Sequence, residues 1–219
     1  GIRDLLCRDS ERPSGCSLTL ISPGRKPLIL VAPGAAGKLP PSSAAEIPMP
    51  SAELPGGVNE PGLLYIEGFL LSNLPLLRGL LSRASEAGVP LAFDPGASPI
   101  AAAQRQLIRT EILPRCRYLF ASQREMEALE LDPRTLPHEY GIRGAAKKCD
   151  AAGSVLFTPQ EVIELPAFPA EAKEGSGSGD LYAGAFLAAV HSGADLFTAG
   201  RAASAAGAYG TEVAGGRLE

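Results

Sequence analysis

From Leu63 to Leu131 short apolar runs alternate strictly with helical segments, and no other feature of the sequence narrows the fold so far. "LLYIEGFLL" reads as a strand, and "LPLLRGLLSRASEAG" follows with helical spacing. It ends on Gly88, a residue suited to the position just past a helix. "VPLAFDPG" (89–96) is a second strand, "PIAAAQRQLIRTEIL" (99–113) a helix, "RYLFA" (117–121) a strand and "SQREMEALEL" (122–131) a helix. Such alternation predicts crossover connections, and hence a mainly parallel sheet with helices on both faces. The predicted class is α/β.

The flanking segments complete the outline. "CSLTLIS" (16–22) and "PLILVA" (27–32) surround the turn residues "PGRK" and predict an antiparallel hairpin. Residues 37–62 are rich in Pro, Gly, Ser and Ala without periodicity and read as a loop-rich connection. "GSVLFTPQEVIELP" (153–166) predicts two more strands about a Thr-Pro turn, and the remainder is helical. No internal repeat is present.

Composition excludes several functions. With 45% apolar and 20% charged residues, the chain can bury a core. A net charge of −4, with its 20 basic residues scattered, argues against nucleic acid as a partner. No apolar run is long enough to span a membrane, and the first residues lack the apolar centre of a signal peptide. Cys7, Cys16, Cys116 and Cys149 are far apart in sequence and predict idle thiols in a reducing cytoplasm. With only His138 and His191, a histidine-rich metal site is not expected.

"EGSGSGDLYAGAFL" (174–187) carries the chemistry. Its glycines stand where a loop gives way to a helix. Gly177 and Gly179 can take backbone angles closed to other residues, so that successive amides point at one anion. The helix adds its positive end at the same spot. Asp180 falls in the first helical turn, beside such an anion, where a carboxylate can accept the proton of an attacking hydroxyl. A Gly/Ser linker with Asp180 as a helix cap is the other reading of the same residues. No Lys follows the glycines as a Walker A loop requires.

The stretch resembles the C-terminal signature, D-T-x-G-A-G-D, of the ribokinase-like (phosphofructokinase B type) carbohydrate kinases. Gly177, Ser178, Gly179 and Asp180 fall on G-A-G-D, and Glu174 stands where Asp is usual. Further segments fit in order. "RPSGCSLTLISPGRKPLILVAPGA" is similar to the family's P-T-G hairpin and P-G-A-N turn, and "LLYIEGFLL" to a strand entering its core sheet. "LAFDPGASP" is similar to a D-P-N strand end, and "LFASQREMEAL" to the segment carrying N-x-x-E, with Ser122 for Asn and Glu125 retained. "AAGSVLFTPQEVIELPAF" resembles the glycine-rich turn and strands before the signature.

The resemblance implies a single ribokinase-like three-layer α/β/α domain over 1–219, with residues 13–36 as a hairpin near the lid. It implies transfer of the γ-phosphate of ATP, with Mg²⁺, to a hydroxyl of a small sugar or nucleoside. Asp180 would be the general base, and the amides of Gly177, Ser178 and Gly179 the anion hole. Glu125 would help place Mg²⁺ through water, and Ser122 and Gly153 would lie at the nucleotide. A homodimer is compatible with it. Two residues keep a second reading. "S-x-x-E" is also a capping box, joining Ser122 and Glu125 at a helix start. Asp94 suits either a crevice at a strand end or an Asp-Pro-Gly turn.

Two departures stand out. The family's section before the hairpin, with its acceptor contacts, has no counterpart in these residues, so the domain over 1–219 reads as N-terminally incomplete. Between the N-x-x-E helix and Gly153, the apolar strand that ends in the family's T-x-G turn is not visible. By position Lys148 and Asp150 take the places of that Thr and Gly. The alternative expectation is therefore a degenerate member that at most binds nucleotide, without turnover.

Overall fold

The computed structural model describes residues 9–20, 28–50 and 62–213. The chain divides into two compact units, Gly1–Pro48 with Leu70–Arg83, and Met49–Phe69 with Ala84–Glu219.

In the first unit, β1 (Cys16–Leu20) and β2 (Leu28–Ala32) form the expected antiparallel pair, with Cys16 opposite Ala32. The turn residues expected at 23–26 lie outside the described residues. Two short 3-10 turns, Gly34–Lys38 and Pro41–Glu46, occupy part of the predicted irregular stretch, whose residues 51–61 also lie outside the described ones. Most of α1 (Leu74–Glu86) belongs here, and Leu76, Leu77, Leu80 and Leu81 are its buried stripe. Asn73 starts this helix, accepting from Leu76 N at 3.3 Å while its own amide donates to Leu39 O at 2.8 Å. Arg83 donates to the carbonyls of Ala44 and Ile47 and so fastens the 3-10 turns to the helix.

The second unit holds a six-stranded sheet in the order of the sequence, β3 (Leu64–Glu67), β4 (Leu91–Asp94), β5 (Cys116–Ser122), β6 (Gly144–Lys148), β7 (Ser154–Phe157) and β8 (Val162–Leu165). The pairs from β3 to β6 are parallel, and β7 and β8 run antiparallel. The connections carry α2 (Ser98–Ala103), α3 (Arg105–Leu107) running on into a π turn at Ile108–Ile112, α4 (Gln123–Ala128) and α5 (Leu136–Tyr140). α4 packs on β5 and β6. On the opposite face α6 (Ser178–His191) and α7 (Leu196–Glu212) lie side by side. There Tyr118, Phe120, Leu156 and Leu165 of the sheet meet Tyr182, Phe186, Val190, Ala199 and Ala203 of the two helices. Phe186 is the hinge of this core, stacked edge to face on Tyr118 at 5.4 Å and on Phe120 at 5.3 Å. Such pairs add about 0.5–1.5 kcal/mol each beyond their buried area. The expectation of an α/β fold with helices on both faces is met. Among the described residues no helix is long and apolar enough to cross a membrane.

One expectation is corrected. The strand sought between the N-x-x-E helix and Gly153 is present as β6, hydrogen-bonded between β5 and β7. It escapes notice because "GAAKK" has none of the branched or aromatic residues that mark a strand. Its small residues have a packing reason. Gly144 and Ala146 stand beside Tyr118 and Phe120 in register, so the aromatic side chains of β5 fill the volume that β6 leaves. A Cβ at Gly144 would meet Leu156 Cδ1 at 3.2 Å and Tyr118 Cδ1 at 3.4 Å. Gly144→Val should therefore overpack this core and lower stability by about 1–3 kcal/mol. Urea unfolding midpoints of the variant and the unaltered chain measure it.

Candidate functional site

The parallel strands deliver their last residues to one edge of the sheet. Glu67 ends β3 opposite Asp94, which ends β4, and Ser122 ends β5 opposite Lys148, which ends β6. Asp94 is buried at 3% exposure, and both its oxygens are engaged. Oδ1 accepts from Gly96 N at 2.9 Å, and Oδ2 accepts from Lys148 Nζ at 2.6 Å. The two readings of Asp94 are thus realised together, as a turn acceptor and as a carboxylate at the strand ends. Gly96 has a left-handed φ of +74°, and a Cβ there would lie 2.6 Å from Glu67 Oε1. The turn after β4 is glycine for both reasons.

The glycine-rich stretch arrives at the same edge as the start of α6. Gly177 occupies the cap position in a left-handed conformation (φ 77°) and brings no side-chain cap. Asp180 is therefore not the cap of this helix. It lies in the first turn, as the sequence predicts. Ser178 folds back on the loop, with its Oγ donating to Gly175 O at 2.8 Å and its amide to the same carbonyl at 3.2 Å. The first amides of a helix have no partner within it. Gly179 differs from Gly177, since its φ is not positive and its need is space. A Cβ on it would stand 3.1 Å from Lys148 Nζ. The start of α6 and the end of β6 are thus in near contact.

Beside this turn opens a cavity of about 780 Å³, within the range of small-molecule sites. Ser122, Lys148, Gly153, Ser178 and Gly179 all lie on its wall. Gly153 has φ +91°, and a Cβ there would strike Leu165 O at 2.2 Å, so glycine is obligatory. Asp150, in the place where the resemblance has glycine, nonetheless takes a left-handed φ of 51°. Ser204 on α7 also borders the cavity, and its buried Oγ has no hydrogen-bond partner among the described residues. Of the expected site residues, Gly153, Ser178, Gly179 and Ser122 are brought together on one cavity. Glu125 is not on that wall. Its Oε2 accepts from Ser122 N at 2.6 Å while Ser122 Oγ accepts from Glu125 N at 3.3 Å, and this is the capping box at the start of α4.

Electrostatics tie the edge together. Asp180 is held above the ordinary carboxylate range by lost hydration first and by the charge of Asp94 second, against the pull of Lys148. Glu67 is pushed up to about 7, by burial first, then by Asp180 and Asp94, again opposed by Lys148. Burial, followed by Asp94, Asp180 and Glu67, raises the Tyr65 phenol, whose buried hydroxyl has no hydrogen-bond partner among the described residues. Sequence reasoning missed Glu67 and Tyr65 as members of this group, and placed Lys148 only by position, at the turn ending a strand it did not see. Recognising β6 supplies the physical reason, because a lysine ending a parallel strand faces the crevice.

A sheet of this order, with its mouth at the strand ends and a glycine turn opening the facing helix, is the ribokinase-like α/β fold. Residues 6–218 match the family described as pfkB family carbohydrate kinase, and the chain belongs to that family. It is 33% identical over 136 residues to a nucleoside kinase of Methanothermobacter thermautotrophicus, covering 60% of this chain and 43% of that protein. It is 32% identical over 143 residues to an ATP-dependent ribose-1-phosphate kinase of Halopiger xanaduensis, covering 64% of this chain and 46% of that one. The matched part is thus less than half the length of either relative. Among solved structures, the nucleoside kinase of Burkholderia thailandensis in complex with inosine superposes with a TM-score of 0.71 at 19% identity, covering 94% of this chain and 65% of that one. The adenosine kinase from Sinorhizobium meliloti does so with 0.75 at 21%, covering 94% and 63%.

The crowding of carboxylates has a measurable sign. Glu67 binds its proton more tightly folded than unfolded, so between pH about 4.5 and about 7 the native state holds the extra proton. Stability contributed by this group is present below that window and is lost as pH rises through it. Glu67→Gln should flatten the fall in melting temperature across the window and leave the variant the more stable above pH about 7. Thermal melts over a pH series check this.

Proposed function

We propose that this chain carries the phosphoryl-transfer site of an ATP-dependent kinase, with Asp180 as general base for a hydroxyl of a sugar or nucleoside. The observation that carries the reading is the position of Asp180. It is exposed in the first turn of α6 and directly follows Ser178 and Gly179, which border a cavity of about 780 Å³, although Asp180 itself is not on the cavity wall. Asp180 takes the proton of the attacking hydroxyl as the new O–P bond forms and the bond from the γ-phosphorus to the bridging oxygen breaks. The electron pair of that bond leaves with ADP. A carboxylate whose pKa is raised is the better proton acceptor for this step. The amides of the turn and the positive end of α6 offset the charge on the transferred group.

Gly153 and the bends around it, Ser122 and the wall of α7 are assigned to the nucleotide. The orphaned Ser204 hydroxyl supports this, since a buried donor without a partner suits a polar ligand. Among the described residues no three His, Cys, Asp or Glu side chains are grouped to hold a metal by themselves. That donor set fits Mg²⁺ only as an ion held mainly by phosphates and water, with at most a carboxylate such as Glu125 behind a water. When bound, the ion would offset phosphate charge.

For the acceptor, both curated relatives are named for ribose-bearing substrates, a nucleoside and ribose 1-phosphate. A ribosyl hydroxyl is accordingly the acceptor we assign. A second reading, a nucleotide-binding chain without turnover, is favoured by the engagement of Glu125 in its capping box.

Asp180→Ala separates the two. On the first reading it lowers transfer from ATP to a panel of nucleosides and pentose phosphates by about 10²–10⁴-fold. ATP affinity in the same variant, read by calorimetry, should be largely kept. Equal turnover in variant and unaltered chain would remove Asp180 from the chemistry. No turnover in either, with ATP still bound, would favour the second reading.

A further inference from the structure

We propose that Lys148 is a phosphate-contacting residue of this site and that Asp94 is the positioning residue that holds it there. The inference rests on the kinase reading and adds to it a cation that the glycine turn lacks. Lys148 Nζ has three N–H donors, and its hydrogen bond among the described residues is the one to Asp94 Oδ2 at 2.6 Å. Two donors are thus left for a ligand. Lys148 lies on the wall of the cavity, and its ammonium is 3.1 Å from the point where a Cβ of Gly179 would stand. An anion seated on the amides at the start of α6 is therefore within reach of it. The side chain keeps 19% exposure, which leaves room for that contact.

Asp94 suits the role of an anchor. It is 4% exposed at its side chain, and its second oxygen is fixed by Gly96 N at 2.9 Å. It cannot swing away, so it sets where the lysine head rests. A purely structural account is that Lys148 exists to neutralise the buried Asp94. Removing one partner of such a pair leaves an uncompensated charge and destabilises the fold. Removing both charges together does not, and the double substitution distinguishes the two accounts.

The test compares binding of ATP and of AMP, by calorimetry, in four chains: unaltered, Lys148→Met, Asp94→Asn, and the two substitutions combined. A charge-assisted contact to phosphate is expected to be worth about tenfold or more in affinity. Lys148→Met and the double variant should lose at least that for ATP while AMP binding is little changed. Asp94→Asn should lose less, because the ammonium stays but is no longer held. The double variant should melt close to the unaltered chain, which keeps the result readable if Lys148→Met alone folds poorly. A double variant that binds ATP like the unaltered chain would sink the inference and leave the kinase reading standing. Equal losses for ATP and AMP would also overturn it, by making Lys148 a support of the cavity at large. If the unaltered, folded chain binds no ATP, the kinase reading fails and the inference fails with it.

Discussion

Four strands hydrogen-bonded in parallel must all end at the same edge of their sheet, and here that constraint assembles the site. β3 to β6 follow one another in sequence and in space, so Glu67, Asp94, Ser122 and Lys148 arrive side by side without any loop having to reach for them. The pairing depends in turn on β6 being thin. Bulkier residues at 144 and 146 would compete with Tyr118 and Phe120 for the space beneath α6. Displacing α6 would move Asp180 and the glycine turn with it. The core and the chemistry are thus coupled through a single strand of small residues.

The same edge concentrates charge of one sign. Asp94 acts on Asp180, both aspartates act on Glu67, and all three act on Tyr65, while Lys148 is the cation that opposes the effect on Glu67 and Asp180. Because Asp94 is buried and already bonded to that ammonium, it is the settled member of the group. Asp180, exposed in the first turn of α6, is the member with an oxygen to spare. On the proposed reading, burial separates two aspartates of identical chemistry: Asp94 holds the lysine and Asp180 is left to act as base.

Much of this was legible in the sequence because it depends on local rules. Alternating apolar and helical segments announced the parallel sheet, and Gly88 marked the end of α1 with its left-handed φ of +64°. The spacing S-x-x-E announced the capping box that Ser122 and Glu125 form. Gly177 and Asp180 stand at a helix start as their order implied. β6 was illegible for a physical reason. Its stability comes from ladders on both sides and from aromatic neighbours on β5, and none of these is written in "GAAKK" itself. Missing the strand meant missing that Lys148 ends it. The pairing of Lys148 with Asp94 spans 54 residues and follows only from the sheet order.

The glycines of the signature illustrate how residues alike in sequence answer to different forces. Gly177 is required by torsion, since the chain turns into α6 through a left-handed conformation that other residues rarely adopt. Gly179 answers to proximity, since a methyl group would stand 3.1 Å from the Lys148 ammonium and push it aside. The first requirement belongs to any loop that enters a helix this way. The second exists only because a lysine ends β6. Gly179 and Lys148 therefore form one spatial unit: the absent side chain of one leaves the volume that the charged head of the other occupies. An anion at the start of α6 would then meet an amide dipole and a full positive charge from adjoining elements. Neither element alone provides both.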